Sequence, residues 1–132
     1  MDCIFCKIIK GEIPCYKVYE DEDTLAFLDI QPVNPGHTLV VPKQHFQNLE
    51  AIPEDLLAKV MVTVKKVAKT IKDNIAPGYN IQENNDPIAG QVIPHIHWHI
   101  IPRQEGDGLR LWSQRNYNDG EAEETLKKMK IN

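Results

Sequence analysis

Residues His95-Ile96-His97-Trp98-His99-Ile100-Ile101-Pro102 set three histidines at strict alternation with large apolar residues. Side chains of an extended strand point alternately to opposite faces, so this spacing predicts a strand over residues 95–101. The imidazoles then line one face at roughly 6.5–7 Å intervals, while Ile96, Trp98 and Ile100 pack the other face into a core. Pro94 removes one backbone donor just before the row, which fits an edge or irregular entry into that strand. Imidazole can serve as nucleophile, proton donor or metal ligand near neutral pH. The row therefore suits a metal site or a device for an anionic reaction centre. The plain alternative is three histidines that face solvent or bond within the core.

The rest of the chain supplies the layers such a strand needs. Ile4 to Ile9 reads as a short helix ended by Gly11 and Pro14. Tyr16–Tyr19, Leu25–Leu28 and Thr38–Val41 read as strands, the first two separated by the acidic turn Glu20–Asp23. Gln31 to Gly36 is a loop, rich in turn formers. Pro53 opens a long helix at its first position, with Glu54 and Asp55 favourable to its dipole. Leu57, Val60, Met61, Val64, Val67, Ala68 and Ile71 give that helix one apolar stripe through Lys72. Its lysines fall largely off the stripe and form a solvated face. Tyr79–Gln82 is a further strand, joined to the histidine row by the polar loop Glu83–Gly90. Consecutive strands with short turns imply an α+β domain: a five-stranded antiparallel sheet, one long helix and a short N-terminal helix. We take residues 1–132 as one domain, with a core of about 3–103 and a polar tail, 104–132.

Charge and cysteine content narrow the functional classes. A net charge of −4 argues against a broad nucleic-acid surface, which needs clustered excess Lys and Arg. No segment approaches the roughly 20 apolar residues of a membrane span, and Met1-Asp2-Cys3 does not begin a signal peptide. A cytoplasmic protein is expected. Cys3, Cys6 and Cys15 make a disulfide framework unsuitable. Cys3-Ile4-Phe5-Cys6 has the spacing of a zinc knuckle or a redox pair, but two thiolates supply only half of a closed zinc site.

Three histidines on one strand span roughly 13 Å between outer Cα atoms, so a single tetrahedral metal held by all three would be strained. Nucleophilic attack on phosphorus by a neutral imidazole needs no metal if donors stabilise the oxyanions. Asn84, Gln91, His99 and loop N–H groups are the candidate donors, and Gly90 lets backbone approach a phosphate.

The pattern at His95–Ile101 resembles the signature of the histidine-triad (HIT) family. Cys3–Ile9, Ala26–Ile30, Gly36–His45 and Gly90-Gln91 resemble that family's other blocks, in its order. The likeness covers most of Cys3–Arg103, and it is nearest to the HINT-like branch of zinc-containing type, with the HIT-like fold.

This resemblance implies an enzyme: a hydrolase or transferase cleaving at the α-phosphorus of purine nucleoside phosphoramidates through a nucleotidyl-histidine. It implies His97 as the nucleophile and His99 as the group that binds phosphate oxygens and helps the leaving group. It also implies phosphate contacts from Asn84 and Gln91, ribose binding by Asp29, and apolar nucleoside walls from Ile30, Phe5 and Ile8. One structural zinc is implied, on Cys3, Cys6, His45 and His95, with no catalytic metal. A homodimer is implied as well. Dinucleoside polyphosphate hydrolysis and a nucleotide-sensing adaptor with little turnover are the alternatives. His37 receives no chemistry, and Cys15 reads as a buried small residue. Val92 departs from the family pattern, in which many relatives carry Ser or Thr, and so leaves the leaving-group preference open.

Overall fold

The computed structural model describes residues 2–131. Its elements are α1 (Ile4–Ile9), β1 (Lys17–Glu20), β2 (Thr24–Leu28), β3 (Thr38–Pro42), α2 (Glu54–Asn74), β4 (Gly78–Glu83), β5 (Trp98–Arg103) and α3 (Glu121–Met129). The strands form one five-stranded sheet in the order β1-β2-β3-β5-β4, with every neighbouring pair antiparallel. The α+β architecture expected from the sequence is therefore observed.

Both faces of the central strands are covered, which explains why Thr38–Val41 is an unbroken apolar run rather than an alternating one. On one face Val60, Val64, Val67 and Ile71 of α2 pack against Ala26, Val40, Ile96, Trp98 and Ile100. On the other, Leu25, Phe27, Leu39 and Val41 pack against Cys3 and Phe5 at the N-terminus. The hydroxyls of Thr24 and Thr63, 2.8 Å apart, satisfy each other where β2 meets α2. Alternation along β3 thus sends Val40 to the large helix and its neighbours Leu39 and Val41 to the small one.

Three sequence expectations change. The strand predicted over 95–101 begins only at Trp98, so His95 and His97 precede it. The ladder to β3 starts at the Val40–Trp98 pair. Upstream of it the chain bonds elsewhere: Ile96 N–H donates to the Phe46 carbonyl at 2.8 Å, and His95 N–H to the Ile93 carbonyl at 2.9 Å. Pro53 caps α2 rather than opening it, and Leu56 joins the buried stripe while Met61 stays exposed. The polar tail contains α3, which buries no residue. Its signals are acidic residues in the first turn and Lys127 and Lys128 in the last, the order that favours the helix dipole.

Core burial sets the mutational response. Replacing the fully buried Ile100 by Ala should cost about 2–5 kcal/mol by transfer and cavity terms. Ile88→Ala, at a residue 99% exposed, should stay within about 0.5 kcal/mol. Urea denaturation of the two variants against the parent chain checks the difference.

Candidate active site and metal cluster

The three histidines of the row lie on the α1 side of the sheet, but they do not share one environment. His97 and His99 line a cavity of about 450 Å³ together with Gly90, Val92, Asp29 and Ile30. Phe5 and Ile8 of α1 form its apolar wall. His95 lies deeper and faces the N-terminal cysteines.

Hydrogen-bond partners decide which nitrogen of each ring carries the proton. His97 Nδ1 lies 2.8 Å from the carbonyl oxygen of His95. A carbonyl only accepts, so Nδ1 holds the proton and Nε2 keeps its lone pair. His97 is only 7% exposed, and burial pushes its pKa below 6.5, against the opposing pull of the His95 carbonyl and Asp29. The ring is thus a neutral imidazole with a free Nε2.

His99 is oriented by His37, a residue to which no sequence motif assigns chemistry. Val33 N–H donates to His37 Nδ1 at 3.0 Å, which leaves the proton of neutral His37 on Nε2. His37 Nε2 then donates to His99 Nδ1 at 2.9 Å. His99 consequently carries its own proton on Nε2 and is a donor there. His37 is 3% exposed, and burial lowers its pKa, with Asp29 acting the other way. For His99, burial first and then the neighbouring His97 and His37 bring the value down to about 4. Asp29 Oδ2 stands 3.7 Å from His37 Nε2, and Asp29 Oδ1 accepts the Gln31 N–H at 2.9 Å. The sequence signal for His37 was its place in Gly36-His37-Thr38, at the start of the strand that pairs with the histidine strand.

Two predicted phosphate contacts take other positions. The Gln91 amide is committed to backbone groups: its Nε2 donates to the Gln47 carbonyl at 2.6 Å and to the Ile93 carbonyl at 3.2 Å. Its Oε1 accepts the Asp86 N–H at 2.9 Å. Gln91 therefore builds the loop and does not line the cavity. Asn84 lies behind Gly90, with its Nδ2 3.5 Å from the Gly90 carbonyl oxygen. Gly90 has φ +94°, and an added Cβ would come within 3.3 Å of that amide. The positive φ favours glycine there, and a side chain would also press on the Asn84 amide. Val92 is 88% exposed at the cavity rim and offers no hydroxyl.

The second cluster joins Cys3, Cys6, His45 and His95, whose donor atoms lie within 4.8 Å of one another. His95 Nε2 donates to the Pro42 carbonyl at 2.9 Å, which leaves Nδ1 as a lone-pair donor. That Nδ1 lies 3.4 Å from Cys3 Sγ, 3.6 Å from Cys6 Sγ and 3.1 Å from His45 Nδ1. Cys6 Sγ stands 3.5 Å from His45 Nδ1. A tetrahedral zinc with ordinary bonds separates nitrogen ligands by about 3.3 Å and nitrogen from sulfur by about 3.5 Å. The four residues fit that ion in both donor type and spacing. Burial, and then the adjacent Cys3, raise the Cys6 thiol above its usual pKa, a penalty on paired thiolates that a divalent cation offsets.

A fold of this order with these histidines defines a histidine-triad protein. The HIT domain model matches residues 10–106, and the chain belongs to that family. An uncharacterised HIT-like protein of Methanocaldococcus jannaschii is 50% identical over 130 residues, covering 97% of this chain and 98% of that protein. The adenosine 5′-monophosphoramidase of Candida albicans is 49% identical over 113 residues, covering 81% of this chain and 74% of the relative. Among solved structures, a HIT family member from Bacillus subtilis superposes with TM-score 0.88 at 41% identity, covering 100% and 99% of the two chains. A zinc-bound histidine triad protein of Mycobacterium smegmatis gives TM-score 0.79 at 36% identity, covering 97% and 92%.

The lowered histidine pKa has a sign that can be checked. A histidine held neutral in the fold binds its proton first in the unfolded chain, so stability declines as pH falls. For His99 the decline should run from about 6.5, its ordinary value, to about 4, and be absent at higher pH. Thermal melts across this range should show a shallower acid slope for His99→Gln than for the parent chain.

Proposed function

We propose that this chain is a hydrolase cleaving purine nucleoside phosphoramidates, AMP or GMP linked to an amine, at the α-phosphorus through a nucleotidyl-histidine on His97. The observation that carries this reading is the His97 ring. Its Nδ1–H is tied to the His95 carbonyl at 2.8 Å, so its unprotonated Nε2 is the atom left to act at the cavity. The phosphoramidase relative in Candida albicans, 49% identical, supports the same class of reaction, and the chain is an enzyme of this hydrolase family.

In the proposed cycle the Nε2 lone pair attacks phosphorus, the P–N bond breaks and the amine departs. Water then attacks phosphorus and breaks the P–Nε2 bond, releasing the nucleoside monophosphate. The departing nitrogen takes a proton from solvent as the P–N bond breaks, and the attacking water later leaves its hydroxyl on phosphorus and returns a proton to solvent. The neutral ring suits the first step, because a protonated imidazole has no lone pair to offer. His99 Nε2–H donates toward the phosphoryl oxygens and the departing nitrogen, its orientation set by His37. Asp29 receives the ribose hydroxyls, while Phe5, Ile8 and Ile30 flank the base. Gln91 acts by shaping the loop whose Gly90 borders the cavity, and Asn84 supports that loop from behind. Val92 leaves leaving-group assistance to His99. The imidazoles supply the chemistry, so no catalytic metal enters the scheme.

We also assign one structural zinc to Cys3, Cys6, His45 and His95, supported by the donor spacing and by the zinc-bound relative. When bound, it cross-links the N-terminal segment to the start of the histidine row. A homodimer is proposed on the unpaired outer edge of β4, where Tyr79 and Ile81 are exposed, and on the exposed Leu111 and Trp112. A cytoplasmic location suits a chain whose cysteines form no disulfide. Among the described residues no helix is long and apolar enough to cross a membrane.

Brief exposure to an amine-linked adenylate should add one AMP to the intact mass of the parent chain. His97→Ala should show no adduct and lose turnover by about 10³-fold or more. Full turnover in that variant sinks the assignment. Metal analysis should find one zinc per chain, lost in Cys6→Ser.

A further inference from the structure

We infer that the metal cluster and the reaction are coupled through two groups, the Phe5 ring and the His95 carbonyl, which together hold the His97 imidazole in its reactive orientation. Phe5 is then a positioning residue as well as a cavity wall. This inference rests on His97 being the nucleophile and on the zinc site above.

The need for such a hold comes from the sheet. His97 precedes β5, whose first pair with β3 is at Trp98. Neither of the two histidines before that pair belongs to a ladder. Their stretch is anchored by the Ile96 N–H bond to Phe46 and by the His95 side chain. The His95 carbonyl is therefore only as well placed as its own residue, and that carbonyl decides the tautomer of the His97 ring. Metal binding at His95 Nδ1 would fix the side chain at its second nitrogen, the first being held by Pro42.

The other half of the link is α1. It has 6 residues, too few to hold a helix without tertiary support. Its N-cap is Cys3, whose sulfur accepts the Cys6 N–H at 3.4 Å. Phe5 lies between the two cysteines in sequence and turns its buried ring toward the histidines. Its centroid stands 5.0 Å from that of His97 at an interplanar angle of 78°, and 5.8 Å from His95 at 80°. Phe27 backs it at 5.7 Å and 70°. These edge-to-face contacts restrict rotation of the His97 ring about its side-chain bonds. Loss of the metal would free α1 and relax both restraints at one time. The larger core between α2 and the sheet contains none of the four ligands, so most of the fold does not depend on them.

The test uses the full chain, zinc-loaded and after chelation, with Phe5→Leu in the loaded form. Leucine keeps an apolar side chain while removing the ring. Imidazole ¹⁵N spectra report the His97 tautomer directly, and steady-state kinetics separate kcat from KM. Phe5→Leu should retain its zinc, lower kcat about tenfold with KM changed less than threefold, and turn the His97 Nδ1–H signal into a tautomer average. Chelated protein that keeps its helical circular dichroism should show the same averaged signal. A Phe5→Leu variant that raises KM alone with an unchanged His97 spectrum reduces Phe5 to a wall and overturns the coupling. So does a chelated, folded protein whose His97 spectrum is unaltered. Should chelation unfold the chain, the loaded Phe5→Leu spectrum decides the question by itself. Failure of the nucleophile assignment is distinguishable, since it would show as turnover in His97→Ala.

Discussion

The hydrogen bond from His97 Nδ1–H to the His95 carbonyl is the interaction on which the site depends. It joins two residues whose side chains point to different tasks, and it does so through the main chain. His95 is held by the Pro42 carbonyl on one ring nitrogen and turns the other toward Cys3, Cys6 and His45. Its backbone oxygen then determines which nitrogen of His97 is free. A change that moves His95 therefore reaches the His97 ring through one hydrogen bond.

A second chain of bonds approaches from the opposite end of the sheet. Val33 N–H fixes His37, and His37 fixes His99. Each ring in this series has one nitrogen committed to its predecessor, so proton positions propagate without any formal charge. Burial favours the neutral forms of His37, His97 and His99. The price of this arrangement is acid sensitivity, because protonating Nδ1 of His37 or of His99 breaks the bond that atom accepts, from Val33 N–H or from His37 Nε2–H.

Much of the framework was legible in the residue pattern. The Ile96, Trp98 and Ile100 set did pack against the long helix, since period-two burial needs only local backbone geometry. The strand limits were less legible. His95 and His97 keep the alternation of a strand without belonging to one, because the backbone there takes other partners: Ile96 N–H donates to the Phe46 carbonyl, and the Pro42 carbonyl at the end of β3 is taken by the His95 ring. α3 buries nothing, so it carries no burial periodicity by which a sequence would show it. The Gln91 assignment shows the same limit: an amide beside a glycine suits a phosphate or a backbone carbonyl equally well, and only the loop's closure selects the latter. His37 lies 62 residues from His99 in the chain, so no local pattern could pair them.

By itself the sequence determined the α+β class and the sheet's apolar faces, which follow from nearest-neighbour periodicity along one chain, and it carried the blocks that resemble the HIT family. Tertiary structure decided the division of labour among the histidines. It brought Cys3 and Cys6 to His45 and His95, set His37 behind His99, and aimed the Gln91 amide into its own loop. Those outcomes depend on which donors and acceptors meet across the fold, and hydrogen bonds of about 3 Å are directional contacts that sequence separation does not encode.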